Sequence, residues 1–168
     1  MSARFEYRLD LNEFKPVPNQ AQDLALILRQ PAPPDSQALA ELMLDSYRGT
    51  VDYNGETLAD AQQEVDSYFE GASGEPLLDH SRLCFSGGRL QSACLASYWG
   101  QEPAPLIAYV MTATEAKNQG LASRLLTEVL TNLQNRGYTQ ARAFITSGNI
   151  ASEKIFLRLG FFKASGTG

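Results

Sequence analysis

Polar and apolar residues alternate from Arg4 to Leu11, the period of a half-buried strand. Pro16 and Pro18 then interrupt the chain. Residues 24–29 (Leu-Ala-Leu-Ile-Leu-Arg) are a short apolar run and predict a buried strand. The stretch from Pro31 to Asp35 reads as a turn that opens a helix, with Asp35 or Ser36 as N-cap. Leu39, Leu42, Met43 and Tyr47 follow at helical spacing. Residues 48–56 form a loop with a tight turn at Asn54-Gly55, and Leu58, Ala61, Val65 and Phe69 mark one face of a second helix that Gly71 and Gly74 end. Strands are predicted over 82–86 and 90–99, joined through Ser86-Gly87-Gly88, a strong hairpin signal. Pro103 and Pro105 mark a turn before a strand over 106–112. The clearest helix carries Leu121, Leu125, Leu126, Val129, Leu130 and Leu133 as one broad stripe and stops at Gly137. A strand over 141–146 and a short helix over 150–159, ending at Gly160, complete the pattern. Hairpins and crossovers both occur, so the fold class is α/β with a mixed sheet.

A chain of 168 residues fits one domain, 1–168, in which residues 1–22 form an N-terminal extension with an extra strand. Hydrophobic residues at 43% and charged residues at 20% exclude a disordered chain. Fourteen Lys+Arg against nineteen Asp+Glu give a net charge of -5, which argues against nucleic-acid or anionic-membrane partners. A phosphate-bearing ligand would have to be held locally. Cys84, Cys94 and His80 are the whole Cys/His inventory, so no metal site is expected. Two cysteines that read as buried apolar side chains suit a reducing compartment. No apolar run reaches ~18 residues and the first residues lack a signal core, so the expected location is cytoplasmic.

Chemistry concentrates after the strand at 106–112. Lys117-Asn118-Gln119-Gly120-Leu121-Ala122 leads straight into the long helix. The first N–H groups of a helix lack intrahelical partners, and its dipole adds positive charge there. Small residues at Gly120 and Ala122 let the backbone approach a pyrophosphate, and Lys117 supplies a cation unless it is merely a solvated surface lysine. An ordinary strand-to-helix turn would read much the same.

Residues 117–122 resemble the [Q/R]-x-x-G-x-[G/A] loop of the GNAT N-acetyltransferase superfamily, with Lys117 at the Gln/Arg position. Residues 149–161 (Asn-Ile-Ala-Ser-Glu-Lys-Ile-Phe-Leu-Arg-Leu-Gly-Phe) resemble that family's N-x-x-A-x-x-L-Y-x-K-x-G-F segment. The resemblance spans residues 24–162. It implies a mostly antiparallel mixed sheet splayed in a V, with helices on both faces. It implies acetyl-CoA, or another short acyl-CoA, as co-substrate and no metal. Pantetheine would pair with free backbone groups at Met111, Thr112 and Ala113. The amides of Asn118, Gln119, Gly120, Leu121 and Ala122 would hold the pyrophosphate. Asn149 and Ser152 would face the pantetheine arm, although Asn149 also reads as the N-cap of the last helix.

The implied reaction is direct attack of an amine on the thioester in a ternary complex, with a small molecule or a peptide as acceptor. Glu115 and the loop carboxylates Asp52 and Glu56 are the candidate bases, and the loop pair could equally be solvated turn residues. Two departures stand out. The family's tyrosine, the usual acid toward the leaving thiolate, is Phe156. The family's last two strands are also missing, since only Lys163–Gly168 remain, so Arg4–Leu11 should cover a sheet edge in its own chain or in a homodimer partner. Both departures also suit a non-catalytic acyl-CoA-binding sensor or interaction module.

Overall fold

Alternation turns Tyr7 and Leu9 inward on β1 (Arg4–Asp10), and the core also takes Leu11 and Phe14 just beyond it. The computed structural model describes residues 3–16 and 25–164. Within these, β2 (Ile27–Arg29) leads through a 3₁₀ turn into α1 (Ser36–Tyr47) and then α2 (Leu58–Glu70). There follow β3 (Glu75–Pro76), β4 (Arg82–Ser86), β5 (Arg89–Tyr98), β6 (Leu106–Thr112), α3 (Leu121–Asn135), β7 (Gln140–Thr146), α4 (Ile150–Arg158) and β8 (Phe162–Lys163). The eight strands form one sheet in the order β2-β4-β5-β6-β7-β1-β8, with β3 pairing β5. All neighbours are antiparallel except β6 and β7. The α/β class and the mixed, mostly antiparallel sheet are as expected.

The long stripe behaves as its period requires: Leu125, Leu126, Val129, Leu130 and Leu133 are all fully buried. Six consecutive residues of β5, Ser92–Ser97, are buried, because α1 and α3 both pack on this central strand. Gly87 and Gly88 take positive φ in the tight β4–β5 turn, as the hairpin signal predicted. Cys84 and Cys94 are free thiols buried in adjacent strands.

β1 covers an edge within its own chain. It pairs β7 over seven residues, from Arg4 opposite Thr146 to Asp10 opposite Gln140. Its other side receives β8 at Tyr7 and Arg8. The side chain of Gln134 on α3 then donates to the carbonyls of Leu11 and Phe14, which fastens the segment after β1 to the core.

Two local expectations need correction, and a third is met only in part. The run at 24–29 is a three-residue edge strand with Ile27 and Arg29 exposed, and Leu24 lies outside the described residues. Asp35 stands at the N-cap position of α1, as expected, but its carboxylate does not cap the helix; it takes the Ala32 N–H and a two-point contact from Arg29, closing the preceding turn. On α2 the buried aromatic is Tyr68, whose hydroxyl donates to the Ala96 carbonyl at 2.7 Å, while Leu58 is exposed and Phe69 only half-buried. The two-residue strands β3 and β8 are too short to show a period.

Candidate functional site

β6 and β7 run parallel for two residue pairs only, Leu106 with Arg142 and Ile107 with Ala143. Beyond them the strands part, which is the expected V. A cavity of about 470 Å³ occupies the opening. Its walls come from Ile107–Val110 of β6, Phe144–Thr146 of β7, α1, α2, the loop between those helices, and the start of α4.

The loop at 48–56 is fastened across the opening by Asp52. One carboxylate oxygen accepts from Thr146 Oγ1 at 2.5 Å, the other from Asn149 Nδ2 at 2.8 Å. Asn149 Oδ1 meanwhile accepts from the Ser152 N–H, so Asn149 caps α4 and locks the loop at once. Asp52→Ala would leave the Thr146 hydroxyl and the Asn149 amide without their partner, at a cost of about 1–3 kcal/mol. Urea denaturation of that variant checks this, and a loss below about 0.5 kcal/mol would mean the latch is inert.

Four carboxylates line the cavity: Asp52, Glu56, Asp60 and Glu64. Among the described residues the only cation on the lining is Arg4. Among the described residues none of these five forms an ion pair. The Asn54 N–H donates to Glu56 Oε2 and holds that carboxyl below its ordinary range. Asp60 is turned to the start of α2, where it completes a capping box with Thr57. Tyr109 of β6 donates to Glu64 Oε1 at 2.5 Å. Burial pushes the Tyr109 phenol up, and the hydrogen bond and charge of Glu64 push it further. Burial likewise raises Tyr47, with Asp52 adding to it.

The structure thus brings Asp52, Glu56, Asn149, Ser152 and Phe156 to one cavity. It separates Glu115 from them. That residue lies in a 3₁₀ turn, Thr114–Ala116, which carries it outward; its side chain is 59% exposed and 3.8 Å from Arg89. Glu115 therefore does not stand with the other candidate bases on the cavity wall. The free backbone groups expected at Met111–Ala113 are also misplaced. Pairing with β5 continues to Thr112, the Met111 carbonyl accepts from Ser92 Oγ, the Thr112 N–H donates to Ser46 Oγ, and the Ala113 N–H donates to the Gln91 carbonyl. The edge of β6 that faces the opening is Ala108–Val110.

The loop at 117–122 has the backbone of an anion site. Asn118 and Gly120 both take positive φ, +65° and +78°, and no side chain caps the N-terminus of α3. A Cβ on Gly120 would meet nothing within 4 Å, so the approach is open. Lys117 is neither solvated nor free: its Nζ donates to the Ser46 carbonyl in the last turn of α1. Asp45 braces the same junction by accepting from the Thr114 N–H and hydroxyl. Asp45, Ser46, Asp60, Glu64 and Tyr109 were missed from the sequence. Only the i,i+4 spacing of Asp60 and Glu64 on one helix offered a local hint.

Residues 87–167, a little under half of the chain, match the family model described as FR47-like protein. No curated protein sequence matches the chain. Among solved structures, a GCN5-related N-acetyltransferase from Sphaerobacter thermophilus is 16% identical with a TM-score of 0.73, over 95% of this chain and 48% of that one. The chain therefore spans about half the length of that protein. PaiA N-acetyltransferase from Thermoplasma acidophilum, solved with coenzyme A, is 15% identical with a TM-score of 0.65, over 85% of this chain and 93% of that one. Diaminobutyrate acetyltransferase from Paenibacillus lautus, solved with its substrate and coenzyme A, is 18% identical with a TM-score of 0.59, over 79% and 73%. At these identities the likeness is one of fold, and the fold is that of the GCN5-related N-acetyltransferases. The resemblance read from the two motifs is borne out.

Proposed function

From this GNAT-type fold we propose an acyltransferase that moves an acetyl group from acetyl-CoA to a cationic amine. The observation that carries the reading is the charge of the cavity, four carboxylates without an ion pair against one guanidinium, at the point where β6 and β7 part. Such a lining concentrates an ammonium-bearing acceptor and repels anions. Acyl-CoA, when bound, supplies an activated acyl group. The residues present suit it: the open amides around Gly120 for the pyrophosphate, and the unpaired edge of β6 over Ala108–Val110 for the arm and the thioester carbonyl. Asp52 holds the acceptor loop in place through Thr146 and Asn149. Proximity in the ternary complex is the main resource, worth up to roughly 7–11 kcal/mol in well-oriented systems.

One observation favours a second reading, a sensor that binds acyl-CoA without turnover: Phe156 faces the cavity with no proton to give. Mass spectrometry of amines incubated with acetyl-CoA and protein separates the two. Acetylated product supports the enzyme, whereas CoA binding with no product from any amine supports the sensor. Glu56→Gln is expected to raise KM for a cationic amine several-fold and to leave CoA affinity unchanged, and an unaltered KM would remove Glu56 from the acceptor wall.

A further inference from the structure

We propose that Tyr109, backed by Glu64, is the proton relay of the site, with Tyr109 giving the proton that the leaving sulfur takes. The inference rests on the acyl-CoA reading above.

Breaking the C–S bond leaves a thiolate that is better expelled as a thiol. Phe156 reaches the cavity with a bare ring, so the donor must come from another wall. Tyr109 is the second residue of β6 after its last pairing with β7, where the acyl arm would lie. Thr146 also donates to a carboxylate, but that carboxylate, Asp52, has its second oxygen taken by Asn149 and is held as a latch. The Tyr53 hydroxyl is turned to the Glu56 carbonyl at 3.4 Å. Of the described hydroxyls that line the cavity, Tyr109 alone is paired with a carboxylate, Glu64, that forms no ion pair and takes no other side-chain hydrogen bond. The phenol is also fixed in place, its ring edge-on to Tyr68 at 6.1 Å. The other charged or titratable groups acting on it are Tyr47 of α1 and Arg4 of β1.

The transfer balances. The ammonium first gives one proton to water; the free amine's lone pair then forms the C–N bond, and the C–S electrons go to sulfur. Glu64 takes the proton the amine loses. Tyr109 passes its own proton to sulfur and recovers one from Glu64. The phenol holds its proton above its ordinary range and is by itself a weak acid toward sulfur, so its proton leaves only as the one from Glu64 arrives, and no tyrosinate accumulates.

The first test needs no acceptor. With CoA bound, the ultraviolet absorbance of the thiolate is titrated against pH in the wild type and in Tyr109→Phe. Loss of the hydroxyl should raise the apparent pKa of the bound thiol by roughly one unit. Identical titrations would overturn the contact between Tyr109 and sulfur, even if amine acetylation is real. The second test uses acetyl-CoA with putrescine. Tyr109→Phe should lower kcat by roughly a hundredfold with KM nearly unchanged. Glu64→Gln keeps an acceptor for the phenol but cannot carry a proton, so it should lower kcat while leaving the thiolate titration close to wild type. Wild-type kcat in Glu64→Gln would overturn the relay. If calorimetry finds no CoA binding to the wild type, the acyl-CoA reading fails, and this proposal with it.

Discussion

A chain lacking residues 1–12 is expected not to fold. β1 is an interior strand, with β7 on one side and β8 on the other, and its removal strips seven residue pairs from β7 and both from β8. It also takes Tyr7, Leu9 and Leu11 out of the core, where they are at most 4% exposed. Burial of side chains of this size stabilises by about 1.5–3 kcal/mol each. Three of them approach the whole margin of a typical domain, about 5–15 kcal/mol. The truncated protein should be insoluble, or lose its cooperative transition in urea and elute as aggregate by size exclusion. Leu9→Asp should reproduce most of the loss with every strand residue still present. A truncated protein that elutes as a folded, soluble species with a cooperative transition would show β1 to be an accessory.

Gly120→Glu should weaken CoA binding at least tenfold by calorimetry. Gly120 has φ of +78°, and its Cβ would meet open space, so the variant suffers no clash within the protein. The damage is of two other kinds. A non-glycine residue in the left-handed region costs about 1–2 kcal/mol, and the loop relieves it by moving its amides. A carboxylate at the uncapped start of α3 also neutralises the partial positive charge of the helix end, an effect of about 0.3–1 kcal/mol. Together these come to about 1.3–3 kcal/mol, which centres well above the roughly 1.4 kcal/mol that a factor of ten requires. Gly120→Ala carries only the first cost and should fall between. Unchanged CoA affinity in a folded Gly120→Glu protein would remove this loop from the binding site.

The elements written into local periodicity were legible. The α3 stripe, the Gly87-Gly88 hairpin and the Gly120 turn all follow from short-range rules that tertiary contacts did not overrule. What failed depends on how distant pieces meet. Glu115 sits two residues before Lys117, and only the turn at Thr114–Ala116 shows that it swings outward. Thr112 was taken as free because the hydroxyl that occupies its N–H belongs to Ser46, far back on α1. Tyr109 and Glu64 meet only because α2 lies beside β6 at the mouth of the V, and no spacing in the chain encodes that contact. Asp52 was picked out by its loop, but its latch to Thr146 and Asn149 was invisible until β7 and α4 were in place.

The position of β1 also bears on how the chain assembles during synthesis. Of the strands described, β1 is made before all the others, yet its principal partner, β7, is among the last of them. Until then its apolar side has no native surface to cover it, while the β4–β5 hairpin and the α3 stripe can already collapse on their neighbours. β8 waits longer still, because its own place in the sheet exists only once β1 has docked. Pairing two segments so far apart in sequence closes a long loop, which makes for a slow step in a topology of this kind. The early strand is thus the segment of this protein most exposed to off-pathway pairing, and the one that chaperones would shield longest.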